Sequence, residues 1–501
     1  MNACLVKNIH PLIFLTFFLI VLGATFFYAP GWGLMDDYVI ESGLEDFWKK
    51  GVSFESWSKL MKSDQGHGRF RPLYLLWAVS VYDFFSNNPT LIYVLIIVIG
   101  FFFLWVWGKV IENVFWWKER DFFTVFVFPL CFFIFTPFWN NFMYISVQEK
   151  FIFWFTAPAL WYFVKSYENE SITAFFFSLF WAVLAILGKE SGIALILVFI
   201  LYSLMDLCLF GENRKLSKII LVNTFLLLVG YYVYCVFFLD LFKGRYASLY
   251  VINFNPSGIV FNVLNASLAI RIILGLAILW IVIYGIAYFF KKTGRIKSQS
   301  VLFPLFVIAY LLVLSPFKFV NYLLAPLGPS VMTMFYPLYY FLSQKKLSWR
   351  WLSQGAVLGL SFLFLFGIII PRISKMADKR KVVEFLSEYK NREPQAVFFY
   401  PQPFAETATL LGLFSGVHVN YLEDGILSRE KIVNNPVSYL IMNDECMPVV
   451  LQGVVVERPI YQSKTWTIMS VNKKTNEETK RFAADFPRTF LERWKDVIKK
   501  L

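Results

Sequence analysis

The chain has 501 residues, of which 58% are hydrophobic, 20% aromatic and 16% charged, and its formal net charge is +13. An apolar fraction of that size excludes an ordinary soluble domain, and the basic residues, gathered in short segments between apolar runs, point to topology signals and membrane surfaces and away from nucleic acid. Five cysteines without paired spacing give no disulfide framework or zinc site, and His10, His67 and His418 are too far apart in sequence to form a metal-ligand motif.

A helix of about 20 apolar residues crosses roughly 30 Å of hydrocarbon and satisfies its own backbone there. On that basis spans are predicted at 9–29, 89–108, 121–139, 151–165, 172–187, 191–210, 218–239, 264–289, 301–316, 322–342 and 350–370, about eleven in all. The first follows Lys7 and lacks a small-residue cleavage site, so it reads as an anchor and not a secretory signal.

Just after it stands Leu34-Met35-Asp36-Asp37-Tyr38. Adjacent carboxylates at the mouth of a membrane helix repel one another, which raises one pKa and suits it to general-base work, although a solvated acid pair has the same sequence. Later in the same loop comes Gly66-His67-Gly68-Arg69-Phe70-Arg71-Pro72-Leu73. Two guanidiniums one residue apart are suited to gripping a phosphate at headgroup level, and equally to anchoring a loop there. The apolar segment 71–85 is read as a helix lying on the outer surface or dipping into it, with Trp77 and Tyr82 at the headgroups, because counting it as a span would invert the topology.

At 146–150, Glu149 opens a helix; it could orient an acceptor, assist a metal, pair with an arginine of the first loop or simply complement the helix N-terminus. Leu187-Gly188-Lys189-Glu190-Ser191-Gly192 then interrupts an otherwise nearly continuous apolar stretch. Charges at such a break must line an aqueous cleft or pair with each other. In the loop 240–263, Lys243 and Arg245 could hold a donor phosphate or bind lipid heads.

The basic connectors 109–120, 165–171, 214–218, 291–297 and 345–350 all fall on the cytoplasmic side if the N-terminus is inside. The loops carrying the unusual charges then face outward, as does the tail. In that tail, helix and strand patterns alternate: a helix at 379–390, a strand at 396–400, a helix at 406–414, a strand at 417–421, a helix at 429–434, a strand at 439–442, and β-rich sequence to 471. The expected architecture is therefore an all-α polytopic membrane domain over 1–370, followed by a small soluble α/β domain over 371–501.

The order of the motifs resembles the multi-span glycosyltransferases of the C fold, and within them the transmembrane O-mannosyltransferases that carry tetratricopeptide repeats. Asp36-Asp37, His67 with Arg71-Pro72-Leu73, and Lys189-Glu190-Ser191-Gly192 carry the likeness, which covers about the first two hundred residues. No tetratricopeptide array follows, so the acceptor does not carry over. The resemblance implies a polyprenyl-phosphate-linked sugar donor, inversion at the anomeric carbon and an outward-facing site.

On this reading Asp36, or Asp37 beside it, takes the acceptor hydroxyl proton; Arg69, Arg71 and Lys189 hold the donor phosphate; and His67, Glu149 and Glu190 support them, with Lys243 and Arg245 as a second donor loop. The partners are membrane lipid, the lipid-linked donor and a glycan, lipid or protein acceptor. A divalent metal is left open. Sparse cysteines and the absence of a tail repeat lean toward a bacterial inner (cytoplasmic) membrane. The rival readings are a transporter or lipid flippase, whose charges would sit nearer the midplane, a scaffold whose tail binds partners, and a polysaccharide polymerase or ligase.

Overall fold

Apolar runs become helices wherever the structure, a computed structural model, describes the chain: residues 3–30, 71–85, 88–115, 148–238, 268–290, 297–314, 326–331, 333–334, 358–363, 365–401, 415–433, 437–444, 446–473 and 479–482, with isolated positions in 55–62, 355–356 and 408–412. The helices are α1 (Ala3–Tyr28), α2 (Pro72–Phe85), α3 (Pro89–Val114), α4 (Glu149–Glu168), α5 (Ile172–Gly188), α6 (Ala194–Met205), α7 (Arg214–Phe238), α8 (Leu268–Phe289), α9 (Leu302–Leu314) and α10 (Ile370–Arg392). A 3-10 turn (Glu190–Ile193) leads into α6 and a π turn (Asp206–Phe210) ends it.

Among the described residues, five helical stretches are long and apolar enough to cross a membrane: Pro89–Val114, Glu190–Phe210, Arg214–Val233, Ile270–Phe289 and Leu358–Arg392. The protein is thus a mostly helical membrane protein with a small β-containing C-terminal region. The predicted span 121–139 and most of 322–342 lie outside the described residues. Two basic connectors are shorter than expected, because α3 runs on through Lys109, paired with Glu112 at 2.8 Å, and 214–218 forms the first turn of α7. No glycine or proline after residue 108 stops α3 there.

In lipid the hydrophobic effect does not hold helix to helix, so packing and interhelical hydrogen bonds must. Phe163 of α4 stacks on Phe199 of α6 at 4.3 Å, Ser178 of α5 donates to the Ala159 carbonyl at 2.7 Å, and the Trp107 indole N–H donates to the Phe153 carbonyl at 3.2 Å. The outer face of α5 leaves Phe176, Phe177 and Phe180 exposed. The α2 helix has 14 residues, about 21 Å of rise, too short for a bilayer core. It buries Tyr74, Leu75, Ala78 and Val79, and the partly buried Trp77 packs edge-on against Phe151 and Trp154; the Tyr82 side chain is outside the described set.

The bundle has two unlike ends. At one, Lys165 and Lys297 both bind Glu168, Ser298 and Gln299 donate to Glu212, and the Tyr202 and Ser298 hydroxyls meet at 2.7 Å. Residues from three predicted basic connectors therefore meet in space: Tyr167 bonds Ser217 at 2.7 Å, and Lys297 reaches Glu168. The far ends of α4 and α5 carry Glu149 and Lys189.

Beyond the bundle, α10 starts at Ile370, nine residues ahead of the predicted helix, and lies on a five-stranded sheet of order β2-β1-β4-β7-β6. Its strands are β1 (Val397–Pro401), β2 (His418–Leu422), β4 (Ser438–Asn443), β6 (Val454–Gln462) and β7 (Trp466–Lys473); β1 pairs in parallel with both β2 and β4. A smaller sheet joins β3 (Ile426–Ser428), β5 (Val449–Gln452) and β8 (Thr479–Phe482), with the short helix α11 (Arg429–Val433) after β3. Alternation along β1 sends Phe398 and Tyr400 into the core under α10, with Val382 and Leu386, and Val397 and Phe399 into the opposite core, with Leu440 and Met442.

Candidate functional site

Two glycines make the break between α5 and α6 possible. A Cβ on Gly192 would come within 2.6 Å of the Ala185 carbonyl carbon, and one on Gly188 within 2.5 Å of Phe151 Cβ. With only hydrogen at both positions, the chain folds back onto α5 and presses against α4. Between them Lys189 is extended, and its carbonyl accepts from the Gly192 N–H at 2.8 Å.

This turn delivers Lys189 and Glu190 to the start of α4. The Lys189 ammonium donates to Gln148 Oε1 at 3.2 Å and lies 3.7 Å from Glu149 Oε1 and 3.8 Å from Glu190 Oε2. Arg71, one residue ahead of α2, approaches Glu190 Oε1 with its Nε at 3.9 Å and lies over the Tyr74 ring at 5.4 Å. Residues 71, 149 and 189–190 thus meet in one cluster. Arg71 and Glu149 are buried, and Lys150 is completely so. Ions removed from water persist only when paired or ligated, so the cluster is a coupled set in which no member is dispensable.

Of the residues singled out in the sequence, the structure brings together Arg71, Glu149, Lys189 and Glu190. Glu149 stands at the N-terminus of α4, where the unpaired backbone N–H groups favour a carboxylate, and its partner is Lys189. Asp36, Asp37, His67, Arg69, Lys243 and Arg245 lie outside the described residues. Gln148, which accepts from the Lys189 ammonium, belongs to the cluster without having been singled out. Tyr310, a wholly buried residue of α9 that comes up beside Ser191 and toward Glu149, gave no signal, since a tyrosine in an apolar run reads as core. Among the described residues, no three His, Cys, Asp or Glu side chains gather into a group that could hold a metal.

The polar cluster at the opposite end was also illegible. Asp206, fully buried, accepts from the backbone N–H groups of Glu212 and Asn213 at 2.9 and 3.3 Å and from the Ser217 hydroxyl. It closes the π turn onto the start of α7, a capping role.

No family model matches the chain, and no curated protein does. Among solved structures it is similar to ArnT from Cupriavidus metallidurans bound to undecaprenyl phosphate, with 11% identity over 92% of this chain and 97% of that one and a TM-score of 0.47. A likeness of that size assigns neither a family nor an activity to this chain.

Proposed function

We propose that the protein is a membrane glycosyltransferase that moves a sugar from a polyprenyl-phosphate donor to an acceptor hydroxyl, with inversion, on the outer face of a bacterial inner membrane. The observation that carries this reading is the convergence of Arg71 and Lys189 on Glu149 and Glu190, at the end of α4 and α5 away from the clustered basic connectors. Cations set in place by carboxylates at a helix break can receive a phosphate headgroup arriving from the bilayer, and they stabilise the charge it gains as it leaves.

In the proposed reaction the acceptor oxygen attacks the anomeric carbon while the bond from that carbon to the phosphate oxygen breaks. Asp36, or Asp37 in its place, takes the hydroxyl proton. Arg69, Arg71 and Lys189 hold the departing phosphate, Glu149 and Glu190 fix the lysine, and His67, Lys243 and Arg245 serve the donor loop. The acceptor hydroxyl belongs to a glycan, a lipid or a protein.

Reconstituted protein tests this directly. Lys189→Met should weaken binding of undecaprenyl phosphate about ten- to a hundredfold, the range of one charge-assisted contact of about 1.5–3 kcal/mol. Asp36→Asn should leave that binding intact and abolish transfer from polyprenyl-phosphate sugars; transfer at the wild-type rate would remove Asp36 from the mechanism.

A further inference from the structure

One side of α7 sets positive charge in line with apolar surface. A helix turns about 100° per residue, so Arg214, Lys215 and Lys218 in its first turns share one arc, about 100° wide, with Val222, Phe225, Val229 and Tyr232 further along. Exposure follows that arc. The three cations are exposed, and the four apolar side chains keep between 42% and 62% of their surface, whereas Leu216, Ser217, Ile220 and Thr224 on the other side are buried. The stretch Arg214–Val233 is long and apolar enough to cross a membrane, so the exposed arc faces acyl chains along its length and head groups at its start.

The three cations are free, while others at the same end of the bundle are engaged. Glu168 takes Lys165 and Lys297, and Glu112 takes Lys109. Asp206 and Glu212 accept from Ser217, Ser298 and Gln299. Among the described residues no carboxylate pairs with Arg214, Lys215 or Lys218. Left alone, the arrangement is unfavourable: cations in the first turns oppose the helix dipole, and Arg214 and Lys218, four positions apart, repel each other. An anion at head-group level offsets both effects, and long basic side chains reach that level from a lipid-facing helix.

We infer that this stripe of α7 binds an anionic glycerophospholipid, with the head-group phosphate against Arg214, Lys215 and Lys218 and the acyl chains along Phe225, Val229 and Tyr232. Membrane sidedness requires only that cations stay on one side; it does not require them to stand over a single lipid-facing line. A free anion would leave that line unused, and a neutral lipid would leave the cations unused. The inference concerns the lipid of the membrane itself and goes beyond the transfer reading, with which it shares no residue.

Native mass spectrometry of the full-length protein, released from detergent with equal amounts of phosphatidylglycerol and phosphatidylcholine, would test it. The wild type should retain phosphatidylglycerol in preference by at least about fivefold, the increment expected of one cation near an anionic surface. The triple variant Arg214→Gln/Lys215→Gln/Lys218→Gln should bring the two lipids to near equality, and Lys218→Gln alone should lower the preference, both checked for unchanged thermal unfolding in phosphatidylcholine. Arg271→Gln removes an exposed cation from the start of α8. That start lies at the far end of the bundle, since Tyr288, late in α8, donates to the Phe210 carbonyl at 2.7 Å; the variant should leave the preference unchanged. Glycerol 1-phosphate, the head group without its chains, should not displace the lipid. Equal retention of both lipids by the wild type, an undiminished preference in both α7 variants, an equal loss in Arg271→Gln, or displacement by glycerol 1-phosphate would overturn the inference.

Discussion

At the level of single residues, the charged cluster is a problem of burial solved by pairing. Glu149 keeps 4% of its side-chain surface and Lys189 18%, so the carboxylate depends on its partner while the ammonium keeps an edge open to solvent. Breaking a buried pair by removing one partner costs about 3–5 kcal/mol, mostly from the charge left behind. Lys189→Met should therefore destabilise the protein more than Glu149→Gln, and the double variant should lose less than the sum, measured by unfolding in detergent. Strict additivity would show that the two groups do not interact. Gly192 is constrained differently: its missing Cβ faces backbone, not a movable side chain. Gly192→Ala should cost about 1–3 kcal/mol, the range for overpacking, and thermal unfolding would report it; an unchanged midpoint would mean that the turn can shift without loss.

At the level of elements, the basic end of the bundle joins helix termini through two glutamates with opposite tendencies. Burial works to raise the Glu168 pKa, but hydrogen bonds and attraction from Lys165 and Lys297 overcome it and hold the carboxyl below its ordinary range. Glu212 is raised, by burial first and by Asp206 next, against hydrogen bonds from Ser298 and Gln299. The linkage signs follow. Glu168 contributes stability above its unfolded pKa and loses it as pH falls through the lower folded value; Glu212 adds no penalty below its unfolded pKa and its full penalty above the raised folded value. Glu168→Gln should thus destabilise at neutral pH, and Glu212→Gln should stabilise. Both differences should shrink toward about pH 4 and below, where an unperturbed glutamate is itself mostly protonated. Denaturation followed across that range checks this, and shifts of the same sign in both variants would contradict it.

On the scale of the whole molecule, the transfer reading needs the tail and the basic connectors on opposite sides of the bilayer. In a background with all five cysteines replaced, Asn169→Cys in the exposed turn after α4 and Glu388→Cys on the exposed side of α10 should react with an impermeant thiol reagent from opposite faces of intact vesicles. Labelling from the same face would sink the topology.

Much of this architecture was legible from residue order alone. Long apolar runs have one low-energy conformation in hydrocarbon, so spans such as 172–187 and 218–239 emerge as helices close to their predicted limits. Alternating side chains and turn residues likewise placed β1, β2 and β4 within a residue or so. The Lys189-Glu190 break announced itself because charge is costly there. Which residues meet was not legible: Lys189 reaches Gln148 and Glu149 some forty positions upstream, and Glu190 reaches Arg71 from the far side of α3 and α4. Such meetings depend on how helices pack side by side, which hydrophobic periodicity leaves open, because lipid and protein interior are almost equally apolar. Only the tertiary structure decided them, as it decided that the carboxyl end of β4 lies beside the early turns of α10.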